Sequence, residues 1–411
     1  MTLTQGYKQS DIGVIPEDWD AWQLGELGAF KNGINKGSEA FGHGSPFINL
    51  MNVFGVSAIV STEQLGLVES TNFEQQTYGL KRGDVIFIRS SVKPSGVGLT
   101  AVVLSDLPAT VYSGFLLRFR DGGRMATGFK RHCFYEEGFR RRVISASSVS
   151  ANTNINQDNL KRLRVATPPT KAEQEAIAQA LGDSDALIES LEQLIAKKRH
   201  IKQGAMQELC RAKDGWVAKK LGGFGTFAKG RGIKKDESLS GDLAGIRYGE
   251  IYTRHSDHIK GFSSWISRDV AATATRLQAG DLLFAGSGET KEEIGKCVAF
   301  VSDLEAYAGG DIVILRPSNL CSLFMGYYLN TPPISRQKAS KGQGDAVVHI
   351  AASALADIEV VLPGLEEQTA IATILSDMDA ELAALEAKLT KTRQLKQGMM
   401  RELLTGRIRL V

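Results

Sequence analysis

The chain has 411 residues, 43% hydrophobic and 23% charged, a composition ordinary for soluble globular protein and long enough for two to three domains with proper cores. A formal charge of +3 does not by itself announce nucleic acid. No run approaches the ~18 apolar residues of a membrane span and the opening residues lack a signal-peptide stretch, so a cytoplasmic protein with no membrane partner is expected.

Residues 1–168 read as a globular part rich in short strands. Asp84-Val-Ile-Phe-Ile-Arg and Phe115-Leu-Leu-Arg-Phe are β-branched or aromatic runs bounded by Gly and Asp. From Arg124 to Arg164 nine Lys or Arg stand against three acids, a surplus that suits either phosphate contact or a solvated basic face. Pro168-Pro169 then opens a helix over 169–212, where proline is tolerated in the first turn. Along it Ile177, Leu181, Ser184, Ile188, Leu191 and Ile195 step 4-3-4-3-4, the 3.5-residue seam of a coiled coil. From Arg211 to Asp236 eight bases face two acids. Residues 213–362 form a second globular part, with Asp311-Ile-Val-Ile-Leu-Arg as a clear strand signal. Pro363 opens a last helix over 363–411, whose Ile371, Leu375, Met378, Leu382, Leu385 and Leu389 repeat the same steps. Roughly 38 helical residues at ~1.5 Å each span about 57 Å, so two seams packed antiparallel would make a spacer. Cys133, Cys210, Cys297 and Cys321 lie far apart and read as reduced thiols of a cytosolic protein.

The two helices are copies. Residues 169–210 and 363–404 align without a gap, and 20 of the 42 pairs are identical, among them Glu173/Glu367, Gln174/Gln368, Asp185/Asp379 and Lys202/Lys396. The globular parts are related more faintly. Trp19, Leu24, Gly25 and Gly28 fall on Trp216, Leu221, Gly222 and Gly225, and Leu80…Gly83-Asp84…Phe87 falls on Leu277…Gly280-Asp281…Phe284. Asn154-Ile155 echoes His349-Ile350. A framework kept while its loops diverge suits two copies of one fold that read two targets. Each helix leads toward a tryptophan-bearing segment, so the chain is close to a circular permutation of a two-fold object.

Catalytic motifs are scarce. Asn330-Thr-Pro-Pro333-Ile lacks the spacing and aromatic residue of an adenine methyltransferase motif, and no phosphate-binding Gly-rich loop exists, so no ATP site is expected. Asp281…Glu289-Thr-Lys291 resembles a nuclease core, but its partners in the first copy are Asp84, Val92 and Pro94. His255-x-x-His258 beside Asp257 suggests a metal, yet no further ligand cluster accompanies it and a polar loop is the simpler reading. The chain reads as non-catalytic, with neither a metal nor a cofactor of its own.

The arrangement resembles the DNA specificity subunit of type I restriction-modification systems. The resemblance is carried by Ile12-Gly-x-Ile15-Pro16-x-x-Trp19, the segments leading into Pro168-Pro and Leu362-Pro, Glu173-Gln-x-Ala-Ile177 and Glu367-Gln-x-Ala-Ile371, Lys202-Gln-Gly and Lys396-Gln-Gly, and Leu403-Leu-Thr-Gly-Arg407. It implies an α+β protein, with target recognition domains at 1–168 and 213–362 joined by conserved antiparallel coiled-coil helices at 169–212 and 363–411. It implies that each domain reads one half of a bipartite double-stranded DNA target while the helices set the distance between halves. Two methyltransferase subunits and the restriction (translocase) subunits are the implied partners, and S-adenosylmethionine, ATP and Mg2+ would belong to them. A structural adaptor that binds proteins through both globular parts is the reading of another class. A fused nuclease–methyltransferase is disfavoured because no residues remain for a catalytic domain.

Base reading needs donors and acceptors on loops, with Lys and Arg on phosphates to fix register. Three loop positions recur in each copy. The first holds Lys31, Asn32, Asn35 and Lys36, matched by Lys229, Arg231, Lys234 and Lys235. The second holds Arg89, Ser90, Ser91 and Lys93, matched by Ser287, Thr290 and Lys291. The third holds Ser148, Asn152 and Asn154, matched by Lys341, Gln343, Asp345 and His349. Arg140-Arg-Arg142 is a further phosphate candidate, with salt bridging as its competing role.

Overall fold

A computed structural model describes residues 5–344 and 346–410; Asp345, named above for the third loop, lies outside the described residues. The chain forms two compact units, Met1–Glu192 with Ala387–Val411, and Gln193–Glu386. Each unit therefore combines one globular part with a portion of both long helices.

In the first unit a five-stranded sheet runs in the order Gly28–Asn32, Leu116–Asp121, Val85–Ile88, Thr100–Val103, Ala58–Ile59, antiparallel except at its last pair. Alternate side chains of its central strand serve two cores, as a period of two requires. Val85 and Phe87 pack with Phe30, Phe119 and Phe134, whereas Ile86 and Ile88 pack with Ala101, Val103 and Tyr112. The second unit repeats this plan with a four-stranded sheet, Gly225–Lys229, Ile312–Pro317, Leu282–Ala285, Cys297–Ala299. Leu282 and Phe284 enter one core there, Leu283 and Ala285 the other. Each unit adds a second small sheet and a two-stranded pair near the helix start, Asp20–Gln23 with Arg164–Thr167 and Val217–Lys220 with Glu359–Leu362.

The repeated Gly-Asp is a structural device. Gly83 and Gly280 take φ of 89° and 95°, a turn that favours glycine. The following carboxylate closes it, accepting from the Lys81 amide at 2.8 Å and from the Gln278 amide at 2.9 Å. Each also pairs with an arginine on the neighbouring strand, Asp84 with Arg120 at 2.6 Å and Asp281 with Arg316 at 3.3 Å. Asp281 is thus a buried framework residue, while Glu289 and Lys291 are exposed.

Both long helices are 39 residues, Lys171–Leu209 and Leu365–Leu403. The repeated glutamine fastens each start to its globular part. Gln174 accepts from the Ala126 amide at 2.7 Å and donates to the Pro168 carbonyl at 3.1 Å. Gln368 accepts from the Cys321 amide at 3.0 Å and donates to the Pro363 carbonyl at 2.9 Å. The repeated Asp and Lys then tie helix to helix, Asp185 with Lys396 in the first unit and Asp379 with Lys202 at 2.9 Å in the second. Within each unit the helices are antiparallel: Glu192 pairs with Arg393 at 2.5 Å beyond Asp185 with Lys396 in the first, and Lys198 pairs with Glu381 at 2.7 Å before Lys202 with Asp379 in the second, where Arg199 also meets Glu386 at 2.6 Å. The seam has a refinement that its spacing does not reveal. Ile177 and Leu181 bury in the first globular core and Ile371 and Leu375 in the second, so the first steps serve domain packing. Leu191, Ile195 and Leu382 are buried further along, and Ile188, Met378, Leu385 and Leu389 are half-buried.

The first unit is closed by non-covalent contacts between distant segments. Arg409 pairs with the buried Glu173 and with Asp18 at 2.9 Å, and the Tyr7 hydroxyl donates to the Gly406 carbonyl at 3.3 Å. In the second unit the chain itself makes the equivalent connection, with Lys213 3.5 Å from Glu367.

Position 132 differs between the copies in an informative way. Tyr327 donates to Asp379 at 2.7 Å and lies under the Lys202 ammonium. Its counterpart His132 is buried near Asp185 and Lys396, and burial pushes its pKa down to about 4.

Two outcomes follow from these contacts. Gln174→Leu strands an amide and a carbonyl and should cost about 1–3 kcal/mol in denaturant unfolding; a loss under ~0.5 kcal/mol would remove the clamp role. A histidine depressed to about 4 contributes stability that is present above its unfolded pKa and lost as pH falls from ~6.5 toward that value. His132→Tyr, which copies the second unit, should flatten the decline of melting temperature over that window; an unchanged slope would contradict it.

Candidate nucleic-acid interface

The three loop positions of each copy are brought together by one backbone relay. In the first unit the Gly114 amide donates to the Ile34 carbonyl at 2.7 Å, the Arg89 amide to the Phe115 carbonyl at 2.9 Å, and the Ile155 amide to the Arg89 carbonyl at 2.9 Å. In the second unit Gly310 donates to Gly232 at 2.9 Å, Gly286 to Asp311 at 2.7 Å, and Ile350 to Gly286 at 3.0 Å. Three corresponding links join loop one, a turn, loop two and loop three, loop one accepting through Ile34 in the first unit and through Gly232, the residue before Ile233, in the second.

Side chains follow from that backbone. Ser90–Ser91 pairs with Thr153–Asn154, which pairs with Ser148–Val149, so loops two and three form one small sheet. Period-two alternation puts Ser148, Asn154 and Ser90 in one row, all at least partly exposed. Ser91 stands in the other row and is buried. In the second unit Ser287–Gly288 pairs with Val348–His349. Ser287 is buried beneath the exposed His349, and its Oγ lies 2.8 Å from His349 Nδ1. Ser91 and Ser287 therefore support the cluster from within rather than presenting hydroxyls outward. Asn152 makes the hairpin tip, its carbonyl accepting from the Ser150 amide at 3.0 Å and the Asn154 Nδ2 at 3.0 Å. Lys93 caps the turn Pro94–Gly96 and is exposed.

Loop one differs between copies. Lys36 pairs with Glu74 at 2.8 Å, and this hydrogen bond, aided by the Thr71 amide, holds the Glu74 carboxyl below the usual glutamate range. Lys31 stacks over Tyr78 at 5.1 Å, while Asn32 and Asn35 are exposed. In the second unit Lys229, Arg231, Lys234 and Lys235 are all exposed. Gly232 and Ile233 are both left-handed there, φ 64° and 54°, a conformation rare for a β-branched residue. Ile233 is held in it by burial with Ile266 and Ala271. Thr290, Lys291 and Gln343 are exposed and Lys341 is half-buried at the end of the helix Pro332–Lys341.

Sequence reading missed the turn at Ser113–Phe115 and Gly309–Asp311, the hub of each relay. Its signal in the sequence was a glycine before each strand; the structure adds an exposed Phe115 and, at Asp311, a φ of 60°. The basic run Arg124–Arg164 proves mostly structural. Lys130 is buried against Asp121 and the Gly83 carbonyl, and Arg140 donates to the Ser95 and Val97 carbonyls at 3.0 and 2.7 Å. Arg142 bonds the Arg164 carbonyl at 3.2 Å, and Arg141 lies 4.0 Å from Glu137. Long basic side chains here bury their stems and hold loop carbonyls. Asp257 is committed to Lys202 at 3.2 Å; among the described residues no three His, Cys, Asp or Glu side chains are placed to hold a metal ion. Among the described residues no helix is long and apolar enough to cross a membrane.

Comparison with known proteins gives a consistent picture. Residues 213–396 match the type I restriction modification DNA specificity domain. A putative type I restriction enzyme MjaX specificity subunit of Methanocaldococcus jannaschii is 24% identical, over 99% of this chain and 97% of its own. The type I restriction-modification S subunit from M. genitalium has the same fold at 13% identity, with a TM-score of 0.58 and 98% of each chain covered. A chain from a structure on complex assembly and conformational transition of the type I restriction-modification system aligns at 16% identity, with a TM-score of 0.55 over 96% of this chain and 99% of that one. The expected α+β fold is the one found.

The two versions of loop one predict different salt behaviour. Lys229→Ala should reduce the slope of log affinity against log salt by about 0.9, the effect of one lost phosphate contact. Lys36→Ala, whose charge Glu74 already offsets, should change it by less than about 0.3. Equal effects in a salt titration of DNA binding would contradict this assignment.

Proposed function

We propose that this chain, which is similar to type I restriction-modification DNA specificity subunits, is such a subunit and that each of its two units reads one half of a bipartite double-stranded DNA target. The observation that carries the proposal is the duplicated relay. Three loops of different sequence are held on corresponding backbone links in both units, as expected when one reading scaffold serves two different sequences. Exposed Lys229, Arg231, Lys234 and Lys235 would meet phosphate, and the polar row Ser148, Asn154, Ser90 of the first unit and His349 of the second would meet base edges.

In this proposal the chain performs no chemistry. Its buried acids and lysines are occupied by framework contacts, and what it supplies is position. Two methyltransferase subunits would bring S-adenosylmethionine to an adenine in each half, and restriction subunits would bring ATP and Mg2+. A DNA partner implies action in the cytoplasm. The paired helices would act as the ruler between half-sites, since their sequence is the best-preserved part of the duplication.

The test is genome-wide mapping of N6-methyladenine in cells with and without this chain, in the presence of its methyltransferase. A split motif that vanishes with the chain is expected. Active methyltransferase with no chain-dependent motif would overturn the proposal in favour of an adaptor role. For the ruler, four residues inserted after Leu191 and four after Leu385 add roughly 6 Å of helix, close to two base pairs. The spacer should lengthen accordingly, and retention of the original spacer would contradict it.

A further inference from the structure

Positions 154 and 349 are equivalent in the two units. Asn154 stands opposite Ser90, and His349 opposite Ser287, on the pairing that joins loops two and three. The next residue in each case, Ile155 or Ile350, closes the relay.

His349 is fixed in two ways although it is exposed. Its backbone exchanges two hydrogen bonds with Gln343, at 2.9 and 2.8 Å. Its ring is held by Ser287 Oγ, 2.8 Å from Nδ1. That contact also settles the tautomer. Ser287 is 3% exposed, and among the described residues its Oγ has one hydrogen-bond partner, Nδ1. A buried hydroxyl proton without an acceptor is costly, so the hydroxyl donates to Nδ1. The neutral ring then carries its proton on Nε2, the nitrogen that Ser287 does not hold, as a hydrogen-bond donor. His349 shares a cleft of about 420 Å³ with Lys229 of loop one and Asp311 of the hub turn, so loop one, the hub turn and loop three meet there.

Asn154 presents something else. Its Nδ2 donates one hydrogen to the Asn152 carbonyl at 3.0 Å, which leaves a second N–H beside Oδ1. A donor next to an acceptor is the pattern that matches the N7 and N6 of adenine in the major groove. A single imidazole N–H donor instead matches an acceptor edge, the O6 and N7 of guanine.

We propose that 154 and 349 are the base-discriminating positions of the two units, Asn154 directed to an adenine edge and His349 to a guanine edge. The proposal rests on the DNA-reading function above and assigns its selectivity to one side chain per unit. Framework residues explain neither the exposure of both side chains nor the anchoring that leaves their reading atoms free.

The test uses the full chain with its methyltransferase subunits and a plasmid library in which both half-sites are randomised, read by N6-methyladenine sequencing. His349→Asn should change the preferred base at one position of the second half-site, by about tenfold or more, and leave the first half-site unaltered. Ser287→Ala, which frees the ring, should relax that same position only. Asn154→His should move the change to the first half-site. An unaltered second half-site in His349→Asn would overturn the proposal. So would an even loss across all sequences at unchanged melting temperature, which would mark a phosphate contact. Should His349→Asn fail to fold, Ser287→Ala decides alone: preference kept at every position overturns the assignment. A wild-type chain without preference in either half would refute DNA reading itself, and this assignment with it.

Discussion

Three backbone hydrogen bonds in each unit hold its three variable loops together. They run from loop one to the hub turn, from the turn to loop two, and from loop two to loop three. Backbone groups are indifferent to side chains, so the relay survives when the loop sequence changes completely. Loop one is Lys-Asn-Gly-Ile-Asn-Lys in one copy and Lys-Gly-Arg-Gly-Ile-Lys-Lys in the other, yet each hands a carbonyl, Ile34 or Gly232, to the corresponding hub glycine, Gly114 or Gly310. A scaffold of this kind lets recognition vary without loss of fold.

Beneath the loops the duplication is kept where chemistry forbids change. Gln174 and Gln368 each satisfy one amide and one carbonyl at a helix start, a task that needs a donor and an acceptor on one side chain. Asp379 and Lys202 are partly buried and mutually dependent. Burial opposes both charges, but Asp257 and Asp379 outweigh it and raise the lysine, while Lys202 and the Tyr327 hydroxyl lower the aspartate. Removal of either partner would leave the other charge poorly solvated. The first unit closes through Arg409, which answers two carboxylates from distant parts of the sequence.

Much of this was readable in advance. The helices announced themselves by a 3.5-residue seam and by twenty identities, of which the paired Glu, Gln, Asp and Lys each have a contact behind them. The Gly-Asp turn was visible as a repeated motif, though only its neighbours reveal the strand arginines that complete it. The loop cluster was legible as three recurring positions but not as one surface. Ser90–Ser91 and Thr153–Asn154 are two-residue strands some sixty positions apart, too short to leave a periodic signature. The hub turn went unnoticed for the same reason. Charge counting misjudged Lys130 and Arg140, because a run of basic residues does not say which stems are buried against carbonyls.

The central claim is that two units read two half-sites through equivalent surfaces. It is tested most directly by fluorescence anisotropy of the chain with its methyltransferase subunits on four duplexes, carrying both half-sites, either one alone, or neither. The account predicts tightest binding to the full target, intermediate binding to each single half-site, and weakest binding to the duplex with none. Equal affinity for all four would contradict it.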